Sequence, residues 1–218
     1  MENTKYHNVL RKIILPYCNR MSAKRIFKCV MVGPHGSGKT SLVRTFKTQE
    51  YDEFTTATIG AEYTNLHIDD RCSVNIWDTA GSEKYSTIMP LYYRNSDVAI
   101  LVFDTSDPSS ILSVDTWMQI ITTYTENIIL VGNKMDKQEQ INTDILLNDL
   151  KKKYSYIQLS ATNLESVNHL FVDCMFDNLT SITEHTMGTN DTEVDQTILL
   201  SGFAIPKTSK YKCVSNGC

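Results

Sequence analysis

The sequence has no apolar run long enough to cross a bilayer, which excludes an ordinary transmembrane helix. It shows no signal-peptide pattern, because Lys5, Arg11 and Lys12 interrupt the N-terminus early and no long apolar run follows. Its six cysteines, Cys18, Cys29, Cys72, Cys174, Cys213 and Cys218, lack the spacing of a metal site and the density of a disulfide framework. A reducing compartment is therefore expected. No internal repeat is present, so a repeat architecture is not expected.

What remains is an ordinary globular composition. A chain of 218 residues fits one domain with a substantial core, and 41% hydrophobic against 21% charged residues suits a soluble fold. The net charge of −4 is unevenly spread. Residues 1–25 carry six Lys/Arg against the single acid Glu2, and residues 206–218 carry Lys207, Lys210 and Lys212 with no acid. Basic ends on an acidic body suit contact with an anionic surface, a membrane rather than nucleic acid; charge that merely keeps the ends soluble is the alternative.

The pattern along residues 26–180 alternates strands and helices. Residues 26–32 read as a buried strand, 39–48 as a helix and 49–60 as a polar connection. Residues 62–69 and 72–78 read as a hairpin around Asp69-Asp70-Arg71. Strands follow at 98–103, 128–132 and 155–159, with helices at 110–124, 143–153 and 164–179. Such alternation predicts an α/β domain with a mostly parallel six-stranded sheet and helices on both faces. Residues 1–25 form a basic extension, and residues 181–218 read as a flexible tail rich in Thr, Ser, Asn and Asp.

Gly33-Pro34-His35-Gly36-Ser37-Gly38-Lys39-Thr40 fits the phosphate-loop pattern G-x-x-x-x-G-K-[ST], after a strand and before a helix. Backbone N–H groups there wrap phosphates, helped by the helix N-terminus, which continues through Ser41. Lys39 is expected to reach the β- and γ-phosphates and the Thr40 hydroxyl to ligate magnesium. Asn133-Lys134-Met135-Asp136 follows a buried strand. A carboxylate at Asp136 accepts two hydrogen bonds from a guanine edge, a donor pair that adenine lacks. Lys134 is expected along the base and against the phosphate loop. Ser160-Ala161-Thr162 ends the next strand, where the Ala161 N–H is placed to meet guanine O6. GTP or GDP with Mg²⁺ is the expected cofactor set.

In this order, these motifs resemble those of Ras-superfamily small GTPases, and of Rab proteins among them, over residues 26–180; the implied fold is the Ras-like form of the P-loop NTPases. Thr58-Ile59-Gly60-Ala61-Glu62-Tyr63 resembles the Rab switch I segment, Val74 to Gly81 the strand leading into switch II, and Tyr92-Tyr93-Arg94 the usual Rab tripeptide. Tyr85, Pro90 and the stretch from Glu50 to Thr58 look closest to the early-endosomal Rab subgroup. No Rho-type insert lies between Asn133 and Ser160. The resemblance implies that Thr58 ligates Mg²⁺ and senses the γ-phosphate, that Asp78 holds Mg²⁺ through water, and that the Gly81 N–H meets the γ-phosphate. It implies that Tyr51 covers the guanine edge, or else anchors its loop. It makes Tyr63, Trp77 and Tyr92, with Ile59 beside them, an effector-binding surface, ordinary packing being the alternative.

Two positions depart from the family pattern. Ser82 stands where a glutamine usually orients the attacking water, and a serine side chain is too short for that task. His35 occupies a loop position that is usually small. Slow GTP hydrolysis is expected from the catalytic set Lys39, Thr58, Gly81 and Ser82, with a hydrolysis-deficient adaptor held in the GTP state as the rival reading. A P-loop kinase is disfavoured by the guanine motif and by Trp77 to Gly81.

The resemblance also implies an exchange factor, a GTPase-activating protein and effectors as partners, a role in vesicle traffic, and a peripheral position on the cytosolic face of an intracellular membrane. Rab chains usually end in two close cysteines that receive geranylgeranyl groups. This one ends Cys213-Val-Ser-Asn-Gly-Cys218, neither C-C, C-x-C nor C-a-a-X, so prenylation of Cys213 or Cys218 and a soluble tail with free thiols both stand. At the other end, Val9, Leu10, Ile13, Ile14 and Tyr17 recur at helical spacing, which fits an interfacial helix or a plain extension.

Overall fold

The structure is a computed structural model that describes residues 24–68, 70, 72–81, 87–175 and 178–179. The N-terminal stripe, Ser82, Cys213 and Cys218 lie outside the described residues. Six strands form one sheet: β1 (Arg25–Val32), β2 (Ala61–His67), β3 (Cys72–Thr79), β4 (Val98–Asp104), β5 (Ile128–Asn133) and β6 (Ser155–Gln158). Their order is β2-β3-β1-β4-β5-β6, with only β2–β3 antiparallel.

Alternation along β1 explains the two layers. Cys29 and Met31 point into one core with Leu42 and Phe46, while Val30 and Val32 point into the other with Met89, Val114 and Met118. The first core is covered by α1 (Lys39–Thr48), by α6 (Leu164–His169) and by a π-helical turn, Leu170–Cys174. Phe46 stacks on Phe171 there, with ring centroids 4.4 Å apart. The second core is covered by α2 (Met89–Tyr93), α3 (Pro108–Leu112), α4 (Val114–Ile121) and α5 (Asp144–Lys153). From β1 the chain goes out to β2 and β3 on one side, then crosses to β4 on the other. That reversal of winding opens a crevice at the carboxyl end of β1, where open α/β sheets place ligands.

Three elements differ from the sequence reading. The helix expected over 110–124 starts at Pro108, because Asp107 caps it by accepting from the Ser109 N–H at 2.9 Å and proline suits the first turn. It is interrupted at Ser113, whose hydroxyl donates to the Ser110 carbonyl, and it ends at Ile121, where the Thr122 and Thr123 hydroxyls bond back to Met118 and Ile120. The last helix widens into the π turn, so that Leu170, Phe171, Val172 and Cys174 are all buried. The five-residue α2 carries too little periodicity to be read in advance. Cys29, Cys72 and Cys174 are buried. Among the described residues no helix is long and apolar enough to cross a membrane.

Candidate functional site

The loop between β1 and α1 is built by close approach. Gly38 has a φ of +95°, and a Cβ there would stand 2.2 Å from Asn133 Nδ2. Only glycine therefore lets the Asn133 amide reach the Ser37 carbonyl, to which it donates at 2.9 Å. The other end of that amide, Asn133 Oδ1, accepts from the Ala161 N–H at 3.1 Å. One buried asparagine thus ties the phosphate loop to the segment after β6.

Lys39 folds under the loop, donating to the carbonyls of Gly33 at 2.9 Å and Pro34 at 2.8 Å, with Ser37 Oγ at 3.5 Å. Burial pulls its ammonium down to about 8 against the opposing pull of Asp78. A cavity of about 310 Å³ lies above the loop. His35, Gly36, Gly38, Lys39, Thr40 and Ser41 line it from one side; Tyr51, Thr58, Gly81 and Lys134 line it from the others. Gly81 sits so close to the loop that a Cβ there would be 2.5 Å from the His35 nitrogen.

Three side-chain oxygens from separate elements converge beside this cavity. The Thr40 hydroxyl donates to Asp78 Oδ2 at 2.6 Å, Thr40 and Thr58 hydroxyls share a hydrogen bond at 2.7 Å, and Thr58 Oγ1 stands 3.5 Å from Asp78 Oδ2. Asp78 Oδ1 is buried and accepts from no donor among the described residues. Burial is the main reason the Asp78 carboxyl is pushed above its ordinary range. A buried carboxylate oxygen with an unused lone pair, next to two hydroxyls, suits a hard divalent cation. Among the described residues no three His, Cys, Asp or Glu side chains form a cage. Two hydroxyls and one carboxylate, all oxygen donors, fit magnesium, which keeps waters and phosphate oxygens in its shell.

Asp136, Ser160 and Thr162 do not line the cavity; Asp136 Oδ1 accepts from the Ser160 hydroxyl, which shares a hydrogen bond with Thr162 Oγ1 at 2.7 Å. Lys134 has a φ of +69° and reaches Asp104 Oδ2 at 2.9 Å. Its Cε lies 4.0 Å from where a Cβ on Gly38 would stand, so its stem passes over the loop. Asp104, at the end of β4, was not among the residues read from the sequence. Burial lifts its carboxyl, but hydrogen bonds from Lys134, Ser106 and Lys137 outweigh this and hold it at about 2. The only signal available in the sequence was an acid at the carboxyl end of an apolar strand.

Tyr51 is 44% exposed at the cavity edge. On the outer side, Tyr63 meets Trp77 edge-on at 5.2 Å and Trp77 meets Tyr92 at 5.6 Å, one continuous aromatic surface. Register explains the first contact, since Tyr63 pairs with Trp77 across β2 and β3. Ile59, 82% exposed, stands on the segment before β2. A second cavity of about 600 Å³ shares Thr40, Thr56, Ala57 and Thr58 with the first, so residues 56–58 form a partition between the two.

Comparison with known proteins agrees with this geometry. The Ras family profile matches residues 28–179. The chain is 34% identical to GTP-binding protein ypt5 of Schizosaccharomyces pombe over 155 residues, 66% of this chain and 74% of that protein. It is 35% identical to Ras-related protein RABA1c of Arabidopsis thaliana over 153 residues, 65% and 71% of the two chains. It is 34% identical to Ras-related protein Rab-19 of Rattus norvegicus over 159 residues, 67% and 72% of the two chains.

Proposed function

The chain belongs to the Ras family, among its Rab-type small GTPases, and from that membership we propose that it binds GTP and GDP with Mg²⁺ and acts as a slow molecular switch in vesicle traffic. The observation that carries this reading is the convergence of Thr40, Thr58 and Asp78 beside the cavity above the phosphate loop, with Asp78 Oδ1 unpartnered among the described residues. Those oxygens would hold magnesium, which would supply positive charge to neutralise the β- and γ-phosphates.

The chain's own residues do the rest. The loop amides from Gly33 to Thr40, with Ser41, hold the phosphates, and Lys39 adds a charge whose position three loop acceptors already fix. Asp136 orients the base edge, with Ser160, Ala161 and Thr162 beside it and Lys134 along its face. Tyr51 closes the cavity edge. Thr58 belongs to the 56–58 partition, so a ligand that draws Thr58 inward also orders the wall of the second cavity. Ile59 and the Tyr63–Trp77–Tyr92 surface adjoin that wall and are read by effectors. An exchange factor and a GTPase-activating protein set the nucleotide state. Residues 26–180 form the GTPase domain between a basic extension and a tail whose Cys213 or Cys218 is prenylated. Lys207, Lys210 and Lys212 reinforce that anchor on an anionic cytosolic leaflet.

Slow hydrolysis follows from two side chains. Ser82 is too short to orient water as the usual glutamine does, and the exposed His35 lines the phosphate cavity where an incoming arginine would need room. His35 also favours the second reading, an adaptor held in its GTP state. Single-turnover hydrolysis of GTP by the native protein and by Ser82→Gln separates the readings. The switch reading expects measurable hydrolysis that Ser82→Gln speeds by roughly tenfold or more. Native protein that purifies with GTP and never turns it over supports the adaptor. Hydrolysis at the glutamine-bearing rate, unchanged by Ser82→Gln, removes the proposed slowness.

A further inference from the structure

We infer that Asp104 is a positioning residue for Lys134, fixing that lysine against the nucleotide cavity and so setting how fast bound nucleotide leaves. The inference rests on the nucleotide-binding reading above and adds a residue outside its motifs.

Parallel register brings the two together, since Asp104 at the end of β4 pairs with Asn133 at the end of β5, immediately before Lys134. The carboxylate cannot rotate freely. Its Oδ1 accepts from the Ser106 N–H at 2.9 Å and from the Ser106 hydroxyl at 2.6 Å. This leaves Oδ2 facing the lysines, where it receives Lys134 Nζ at 2.9 Å and Lys137 Nζ at 3.1 Å. Asp104 is 5% exposed, so its charge is poorly screened by water.

The lysine is held at both ends. Its carbonyl accepts from Gln140 Nε2 at 3.0 Å, and its ammonium ends on Asp104. Between those points a flexible four-carbon stem crosses over Gly38 and lines the cavity. Without the carboxylate the stem regains rotamer freedom, and the wall it forms must be reordered for each ligand bound. Lys137 pairs with the same oxygen but does not line the cavity, so it serves as an internal comparison.

Asp104→Asn tests this, because the amide keeps an Oδ1 acceptor for Ser106 while placing an uncharged group before the lysines. The full chain is loaded with Mg²⁺ and a fluorescent GDP analogue, and release is followed after adding excess GDP. Asp104→Asn is expected to speed release by roughly tenfold, on the scale of a lost charge-assisted hydrogen bond. On a Lys134→Met background the same change is expected to add nothing, since the two residues act as one unit. Lys137→Ala is expected to stay within about twofold of wild type, because Lys137 does not line the cavity and Lys134 still pairs with the same carboxylate oxygen. Release unchanged in Asp104→Asn, acceleration that persists on the Lys134→Met background, or Lys137→Ala reproducing the effect would each overturn the inference. If Asp104→Asn is recovered unfolded, Asp104→Ser removes the same carboxylate and is judged by the same cycle. Failure of the wild-type chain to retain GDP sinks the nucleotide reading itself, a separate outcome.

Discussion

Asp104 and Asn133 end neighbouring strands, yet each carries its own load: one fixes a lysine, the other bridges two loops. The titration of Asp104 has a stability consequence. Its folded-state carboxyl titrates at about 2, below its ordinary value of 3.8. As pH falls, the unfolded chain takes up the proton first, so the stability this carboxylate contributes is complete above about pH 4 and fades as pH drops toward about 2. Denaturant midpoints for wild type and Asp104→Asn should therefore differ most at about pH 5 and converge by about pH 2. A gap that stays constant across that range would mean the carboxylate is unperturbed. Of the residues at this scale, the phosphate loop and Asn133-Lys134-Met135-Asp136 were legible because each is a contiguous motif. Asp104 was not, because the lysines it pairs with, Lys134 and Lys137, are distant in sequence and are brought to it by the pairing of β4 with β5.

At the scale of elements, the turn after α6 shows packing overriding period. Four residues of Leu170–Cys174 are buried, more than a one-sided amphipathic stripe supplies, and the backbone widens to place them. Phe171 stacked on Phe46 locks this turn to α1, the helix that starts at the phosphate loop. Phe171→Ala is expected to cost about 3–5 kcal/mol of unfolding free energy. Leu112→Ala, at a residue 67% exposed on α3, should change it by no more than about 0.5 kcal/mol. Urea denaturation of both variants checks the contrast. Strand positions were read to within a residue or two from apolar runs. The break at Ser113 was not, because it depends on hydroxyls turning back onto carbonyls rather than on any apolar spacing.

For the whole molecule, the ligand cavity lies where the winding of the sheet reverses, and it draws residues from five separate stretches of chain. A ligand there binds only the folded state. Mg²⁺ and GDP at about 100 times their dissociation constant should raise the unfolding free energy by about 2.7 kcal/mol. Chelating Mg²⁺ should remove most of that gain and speed nucleotide release, and adenine nucleotides should give none of it. Thermal unfolding with GDP, with GDP and chelator, and with ADP measures all three. Equal stabilisation by ADP would contradict the role given to Asp136.

By itself the sequence determined the α/β alternation, the strand positions, and the two motifs for phosphate and base, because each is written in local composition and spacing. Tertiary structure alone decided that Thr40, Thr58 and Asp78 meet, that Asn133 links two loops, that Tyr63 lies against Trp77, and that Asp104 pairs with Lys134. Those relations join residues far apart along the chain. Strand register and loop approach set the distances between them, and neither is encoded in the spacing of any one segment.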